Sequence, residues 1–447
     1  MTCWFRDSGS PHGEVGLVGK YRAAFWDGYQ MVIQASGSLW PWYVLSRGHD
    51  VIGNYDVNGD NNPAFRSGNV NDGTWHQAVF TVDAGGGVLY VDGVKTAVKG
   101  WRGTPQAVTS QLPLVIGNYA GQLNDAGYFT GEIGEVRIYN RALSEYEVSQ
   151  LYSEEAPVPP VGNGISLQNF ASLPGVVGID YQAMDRSLIV SVNYPHGWPT
   201  NLMKIINDHT ATQFSSLAGL TEELKVATVR TALGGFAAGE VFLGNGQDGQ
   251  IVRVSADGNT VQNPWVTLPG QNHGIFRGSL YHDATGLFGG DLIAVTTNGE
   301  VWRIQSAGVA TKLASLGTHL EGLAIAPNRP DKFGPLAGKI LIGAEGQQRL
   351  YTVSSQGTVD YFAVDVAIED MEIVPRGYNF YGVDYDSSRI LKADQSSFAG
   401  LAGEILVNQE YLGRTPSGLY RLFWDGSQLR SEAIALQAGS QAPSHWE

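Results

Sequence analysis

From Leu188 onward, short apolar runs alternate with polar turns in a fixed phrase that recurs six times. The first strand of each copy is almost wholly apolar: Leu188–Val190, Val241–Leu243, Leu292–Ala294, Ile340–Ile342, Phe380–Gly382 and Ile405–Val407. The second follows a polar turn and ends on a base or a threonine: Leu202–Lys204, Ile251–Arg253, Val301–Arg303, Leu350–Thr352, Ile390–Lys392 and Leu419–Arg421. Met203, Val252, Trp302 and Tyr351 are spaced 49, 50 and 49 residues apart, and the last two steps shrink to 40 and 29. Short strands joined by Gly, Asn and Asp turns at a period near 50 predict a β-propeller, and six copies predict six blades.

A clean copy shows four strands, at 322–325, 339–343, 349–353 and 359–364, running from the inner to the outer edge of one blade. The bases Lys204, Arg253, Arg303, Lys392 and Arg421 occupy one repeated position, and structural repetition explains them without a ligand. Closure is less regular. Between Ala393 and Glu404 there is room for one short strand, so blade five lacks an outer strand or blade six an inner one. The segment Ile165–Phe170 is placed to supply a missing outer strand and tie the ring shut. The propeller is expected over 165–440, followed by a tail at 441–447.

Residues 1–152 alternate strand and turn differently. Trp75–Val82 and Gly87–Gly93 form a hairpin pattern around Asp83-Ala84-Gly85-Gly86, with further strands at Leu114–Ile116 and Glu132–Tyr139. One short helix is predicted over Ser144–Tyr152. Ser144 is its N-cap, Glu147 completes a capping box, and Val148, Leu151 and Tyr152 form the apolar face. The stretch 153–164 contains Pro157, Pro159 and Pro160 and reads as an extended linker between two domains.

Three ordered motifs in the first domain carry a resemblance: Asp72-Gly73-Thr74-Trp75-His76, then Leu89-Tyr90-Val91-Asp92-Gly93, then Phe129-Thr130-Gly131-Glu132-Ile133-Gly134-Glu135-Val136-Arg137-Ile138-Tyr139-Asn140-Arg141-Ala142-Leu143-Ser144. Together they resemble the laminin-G-like, concanavalin A-like jelly roll. That resemblance implies a two-sheet sandwich that binds carbohydrate or protein, often with calcium. Gly134 stands where the family usually has Asp, which puts a contact there in doubt. Trp4 matches a strand that normally follows earlier residues, so an open sheet edge is expected near it. The fold class is therefore all-β: a jelly-roll sandwich followed by a six-bladed propeller.

Composition narrows the partners. The chain of 447 residues has a net charge of −15, which argues against nucleic acid and anionic membrane surfaces. Charged residues make up only 16% and glycines number 58, as suits turn-rich sheets. The single cysteine, Cys3, excludes an internal disulfide framework and a thiolate metal site. No apolar run approaches the ~18 residues of a membrane span, and residues 2–6 already read as a strand, so no leader is present in this chain.

Candidate chemistry lies in both domains. In the first, Asp56, Asn58, Asp60 and Asn62 alternate oxygen side chains as at the start of a calcium loop, although Asn61 and Ser67 stand where such a loop has Gly and a bidentate carboxylate. The alternative is a polar hairpin tip. Trp26, Trp40, Trp42 and Tyr43 form either a sugar-stacking surface or part of the core. In the propeller, meander geometry brings the inter-blade connections and the middle hairpin loops to one face. That face gathers His273, His319, Glu321, Glu369 and Asp370 from the connections. It gathers His196, Trp198, Asp248, Glu345, Gln347 and Asp384 from the hairpins, with Arg277 near the axis. Such a cluster binds a divalent cation such as Ca2+, orients a water or holds a polar substrate. Otherwise it is a set of solvated loop ends and channel plugs. The phrase Leu320-Glu321-Gly322-Leu323 resembles the Glu-Gly strand of six-bladed gluconolactonase-like enzymes, which implies a central calcium; their other ligands are not in register here.

The pattern reads as a secreted, surface or periplasmic binding or adhesion protein that recognises a glycan or a protein partner. Trp26, Trp198, Glu345, Gln347 and Asp384 are its ligand-contacting candidates. The alternative is a calcium-dependent hydrolase, lactonase or polysaccharide lyase using His273, Arg277, His319, Glu321, Glu369 and Asp370. A third reading is a subunit of a larger envelope assembly.

Overall fold

The computed structural model describes the chain except residues 8–12, 23–26, 46–49, 53–64, 102, 105, 120–126, 156–163, 193–197, 207–208, 278–279, 376, 410–416, 438–441, 444 and 447. It divides into two compact units, Met1–Ala156 and Pro157–Glu447.

The first unit is a sandwich of two five-stranded antiparallel sheets. One orders its strands Gly131–Arg137, Thr2–Asp7, Trp75–Asp83, Gly86–Val91 and Val94–Lys99; the other Asp50–Ile52, Leu39–Leu45, Asp27–Ile33, Val15–Arg22 and Val115–Ile116. Period-two alternation sets the layers. Cys3, Phe5, Leu17, Met31, Ile33, Phe80 and Leu89 point between the sheets and form the core. Their neighbours point outward. Val79 and Tyr90 are covered by Leu143 and Val148 of the helix region, and Trp4 stacks on Tyr152 at 5.5 Å. The helix Glu145–Glu155 starts with the expected capping box: the Glu147 N–H donates to Ser144 Oγ at 3.2 Å, and the Ser144 N–H donates to the Glu147 carboxylate at 2.8 Å. Trp4 does not lie at an open edge, because its strand is paired on both sides, with Gly131–Arg137 and Trp75–Asp83. Trp40 and Trp42 are buried against Tyr21 and Val32 on the outer face of the second sheet, which settles them as packing residues.

The shared motifs of this unit are a clasp. His76 holds Asp92 through Nδ1 at 2.8 Å and Asp72 through Nε2 at 3.1 Å, while the other Asp92 oxygen accepts the Gln77 N–H at 2.8 Å. Gly93 follows at φ 74°, and a Cβ there would meet Tyr152 at 2.9 Å. The turn therefore requires glycine both for its dihedral and for its space. Gly134 has an ordinary φ, and a Cβ there would meet nothing.

The second unit is a ring of six four-stranded sheets. Blades one to four run consecutively, with inner strands Ile179–Gln182, Ala227–Thr228, Leu280–His282 and Glu321–Ile325. Six separate hydrophobic clusters hold the ring, one between each pair of neighbouring blades, including one joining blade six to blade one through Val383, Ile390, Ile179 and Val190. An open row of six sheets would have only five such interfaces. Each fully buried Leu, Ile or Val in these clusters contributes about 1.5–3 kcal/mol of transfer free energy.

The last two blades are interleaved, against the simple order expected from sequence. The inner strand Asp370–Ile373 pairs with Ile405–Gln409, followed by Gly418–Trp424 and Leu429–Ala433, to make blade five. The hairpin Phe380–Asp384 and Arg389–Ala393, inserted between the first two of these, belongs to blade six. Gln168–Ser172 adds its outer strand, as the Ile165–Phe170 segment suggested, and His445–Trp446 adds its inner strand, so the expected tail is part of the ring. The repeated bases pair with acids beside the second strands: Lys204 with Asp185, Arg253 with Glu240 at 2.6 Å, Arg303 with Asp291 at 2.5 Å and Arg421 with Glu404 at 3.3 Å. Among the described residues no helix is long and apolar enough to cross a membrane.

Candidate functional site

Among the described residues, two places combine exposed polar groups with shaped surroundings. The first is a groove of about 630 Å3 in the sandwich, between the strand ends at Tyr29 and Tyr43, the turn at Asp83 and Ala84, and the segment Ile138–Arg141. Its aromatic wall is held in place. Tyr43 lies parallel to Tyr29 at 6.2 Å and edge-on to Trp101 at 5.6 Å. The Tyr43 hydroxyl donates to the Gln106 carbonyl at 3.0 Å and accepts the Val108 N–H at 2.9 Å, while the Trp101 indole N–H donates to the Asp83 carbonyl at 2.7 Å. Burial pushes both tyrosine hydroxyls above their ordinary range, so they remain neutral donors. Arg141 is committed to Glu147 through both of its terminal nitrogens.

The second place is the mouth of the propeller axis, where the inner strands begin. Lys225 ahead of blade two reaches across the ring to Glu369 ahead of blade five, its ammonium 2.8 Å from the carboxylate and 3.1 Å from the Glu369 carbonyl. Glu321, at the start of blade four, lies 3.8 Å from the same ammonium, shares a hydrogen bond with Glu369, and contacts His319 Nε2 at 2.9 Å. All three charged side chains are buried, whereas 43% of the His319 side chain is exposed. One lysine charge compensates one carboxylate, and the shorter contact gives it to Glu369. Burial and the negative charges of Glu369 and Glu223 then push the Glu321 carboxyl up to about 10, against the pull of Lys225. Lys225 is itself held above its ordinary range, since Glu369, Asp370 and Glu321 outweigh desolvation.

Around this centre, Arg277 contacts Glu223 at 3.2 Å and Glu222 at 3.6 Å. Half-buried Glu345 is raised by desolvation and by Glu369, with His319 and Lys225 opposing. His319 is lowered, mainly by desolvation. Deeper in the channel, Arg230 bridges Asp180 at 3.1 Å and Glu372 at 3.4 Å, and burial pushes Glu372 up to about 7. Two cross-ring ion networks thus bridge facing blades, and the one around Lys225 reaches solvent through His319.

The structure brings Arg277, His319, Glu321, Glu345, Glu369 and Asp370 into one electrostatic cluster. It places the remaining candidates elsewhere. His273 is buried, with Nδ1 2.7 Å from Glu300 and its ring edge-on to Trp302. Gln347 accepts the Tyr351 hydroxyl at 2.7 Å. Asp384 is buried in the turn of its hairpin, paired with Arg389 at 2.7 Å. Trp198 donates its indole N–H to the Pro174 carbonyl at 2.6 Å and packs against the core between blades one and six. Trp26, His196 and the Asp56, Asn58, Asp60, Asn62 loop lie outside the described residues. Among the described residues no three His, Cys, Asp or Glu side chains converge in a group that could hold a metal ion. Lys225, Glu222, Glu223, Asp180, Arg230 and Glu372 were not anticipated. A signal existed: Leu224-Lys225, Leu320-Glu321 and Ile368-Glu369 place a charge after a buried apolar residue at equivalent inner-strand starts.

No curated protein matches the chain. Among solved structures, the chain is similar to a gluconolactonase from Xanthomonas campestris (12% identity, 64% of this chain and 89% of that one, TM-score 0.40). It is also matched by virginiamycin B lyase from Staphylococcus aureus (12% identity, 61% and 88%, TM-score 0.36). The CBM40 of a Ruminococcus gnavus sialidase, solved with α2,3-sialyllactose, matches at 15% identity over 33% of this chain and 78% of that one, TM-score 0.25. Residues 2–149 match the family described as the concanavalin A-like lectin/glucanases superfamily, to which the sandwich of the first unit is similar.

Proposed function

We propose that this protein is a carbohydrate-binding protein acting outside the cytoplasm, with the sandwich groove as its saccharide site. The observation that carries this reading is the fixed aromatic wall of Tyr29, Tyr43 and Trp101 beside the polar rim of Asp83, Asn140 and Arg141. Aromatic faces cover the apolar C–H faces of a sugar ring, and hydrogen-bonding groups at the rim fix its orientation. The superfamily match of the same residues supports the reading. No described residue ties it to calcium.

A glycan array followed by calorimetry on the selected saccharide tests it. Trp101→Ala removes a wall of the groove and is expected to weaken binding about tenfold, the effect of about 1.4 kcal/mol. Absence of any saccharide binding, or unchanged affinity in Trp101→Ala, refutes the assignment.

A further inference from the structure

The axial mouth of the second unit has no part in saccharide capture by the groove, yet it holds an arrangement with its own chemistry. We propose that His319 is a general base that activates water for hydrolysis of uncharged carboxylic esters at the propeller mouth, with Glu321 and Glu369 as its positioning residues.

The geometry leads there in three steps. Glu321 takes His319 Nε2 at 2.9 Å, so Nδ1 is the nitrogen left for a ligand, on a side chain that is 43% exposed. Glu321 is fixed in turn by its hydrogen bond to Glu369, which Lys225 clamps at 2.8 Å from the far side of the ring. A solvent-facing imidazole oriented by a buried acid that is itself held by a third group is the arrangement that base-assisted acyl transfer needs. The groups facing His319 are Glu321, Glu369, Glu345, Arg277 and Lys225, and with desolvation their sum lowers its pKa, which keeps the imidazole neutral and basic at pH 7.

The chemistry closes without a further reactant. His319 Nδ1 takes one proton from a water as the water oxygen bonds to the acyl carbon, and the carbonyl electron pair moves onto its oxygen. Arg277 supplies positive charge near that oxyanion. When the pair returns, the carbon–oxygen bond to the alcohol breaks and the departing alkoxide recovers the proton from the imidazolium, leaving one acid and one alcohol. The charge of the mouth selects the substrate. Glu222, Glu223, Glu345, Glu369 and Asp370 outnumber Lys225 and Arg277, so an uncharged ester is admitted, an anionic one is repelled, and the carboxylate product is driven out.

The test uses the full chain with 4-nitrophenyl acetate and its anionic counterpart 4-nitrophenyl hemisuccinate, followed by release of nitrophenol. The acetate is expected to turn over above buffer, with the hemisuccinate slower at low ionic strength. The rate should fall only when pH drops below the ordinary imidazole range. His319→Asn should lower the rate on the order of 100-fold. Because the Glu345 charge raises His319, Glu345→Gln should keep the fold and shift the acidic limb of the pH profile to lower pH, which a merely structural role would not move. Melting temperatures of both variants establish that they are folded. No turnover by the folded wild type, unchanged turnover in His319→Asn, or a preference for the hemisuccinate overturns the proposal.

Discussion

Replacing Glu321 by Gln tests the reading of the axial network more directly than any other change. The two residues have nearly the same shape, so the substitution isolates the proton. Burial beside Glu369 pushes the Glu321 carboxyl up to about 10, whereas in an unfolded chain a glutamate titrates near 4.3. Between those values the native protein holds one proton more than the unfolded chain. The group's contribution to stability is therefore fully present below the unfolded value and drains away as pH rises toward the folded one, at about 1.4 kcal/mol per pH unit. Gln does not titrate and carries no such slope. From pH 5.5 to pH 8 the stability of Glu321→Gln relative to wild type should rise by about 3 kcal/mol. Other titrating groups appear in both proteins and largely cancel. Urea unfolding at the two pH values, at matched ionic strength and followed through the second unit's transition, gives the difference directly. The competing reading makes Glu321 an ionised partner of Lys225, 3.8 Å away. Then Gln would break an ion pair, and the variant would lose ground as pH rises. A gap that stays constant or closes between pH 5.5 and pH 8 refutes the protonated acid.

Two further outcomes follow, one from the same axial network and one from the sandwich. Lys225→Met leaves Glu369 buried without its cation and should cost about 3–5 kcal/mol at neutral pH, measured by urea unfolding, with a smaller loss in acid where the stranded carboxylate takes up a proton. In the sandwich, Asp92 and Asp72 raise the His76 pKa through hydrogen bonds that outweigh desolvation. Its stabilisation is thus fully present below the ordinary imidazole value and is lost as pH rises through the raised one. The stability gap between wild type and His76→Gln should shrink between pH 6 and pH 9 in thermal unfolding, and a gap that widens would contradict the clasp.

The sequence made these elements legible to different degrees, for physical reasons. Local periodicity reports strands, so blade four could be read almost residue by residue, and the Ser144/Glu147 box located the helix because a cap is a short-range contact. Which hairpin joins which sheet is a long-range choice. Phe380–Asp384 and Arg389–Ala393 carry the same apolar pattern as Ile405–Gln409 and Gly418–Trp424, so either pair satisfies blade five locally. Packing decides between them. Val383 and Ile390 join Ile179 and Val190 of blade one, whereas Ile405, Val407 and Leu422 join Leu341 and Leu350 of blade four. The axial cluster shows the same division. Ring topology predicts that charges at inner-strand starts converge, which is why Glu321 and Glu369 were found together. His273 lies on an equivalent connection but swings to Glu300, because a side chain beside a blade can satisfy its polar atoms there instead of at the axis. A shared rim position is therefore necessary for a residue to join the site and is not sufficient. What admits His319 and excludes His273 is the acid each one meets: Glu321 on an inner strand facing the channel, against Glu300 at the start of a blade's third strand.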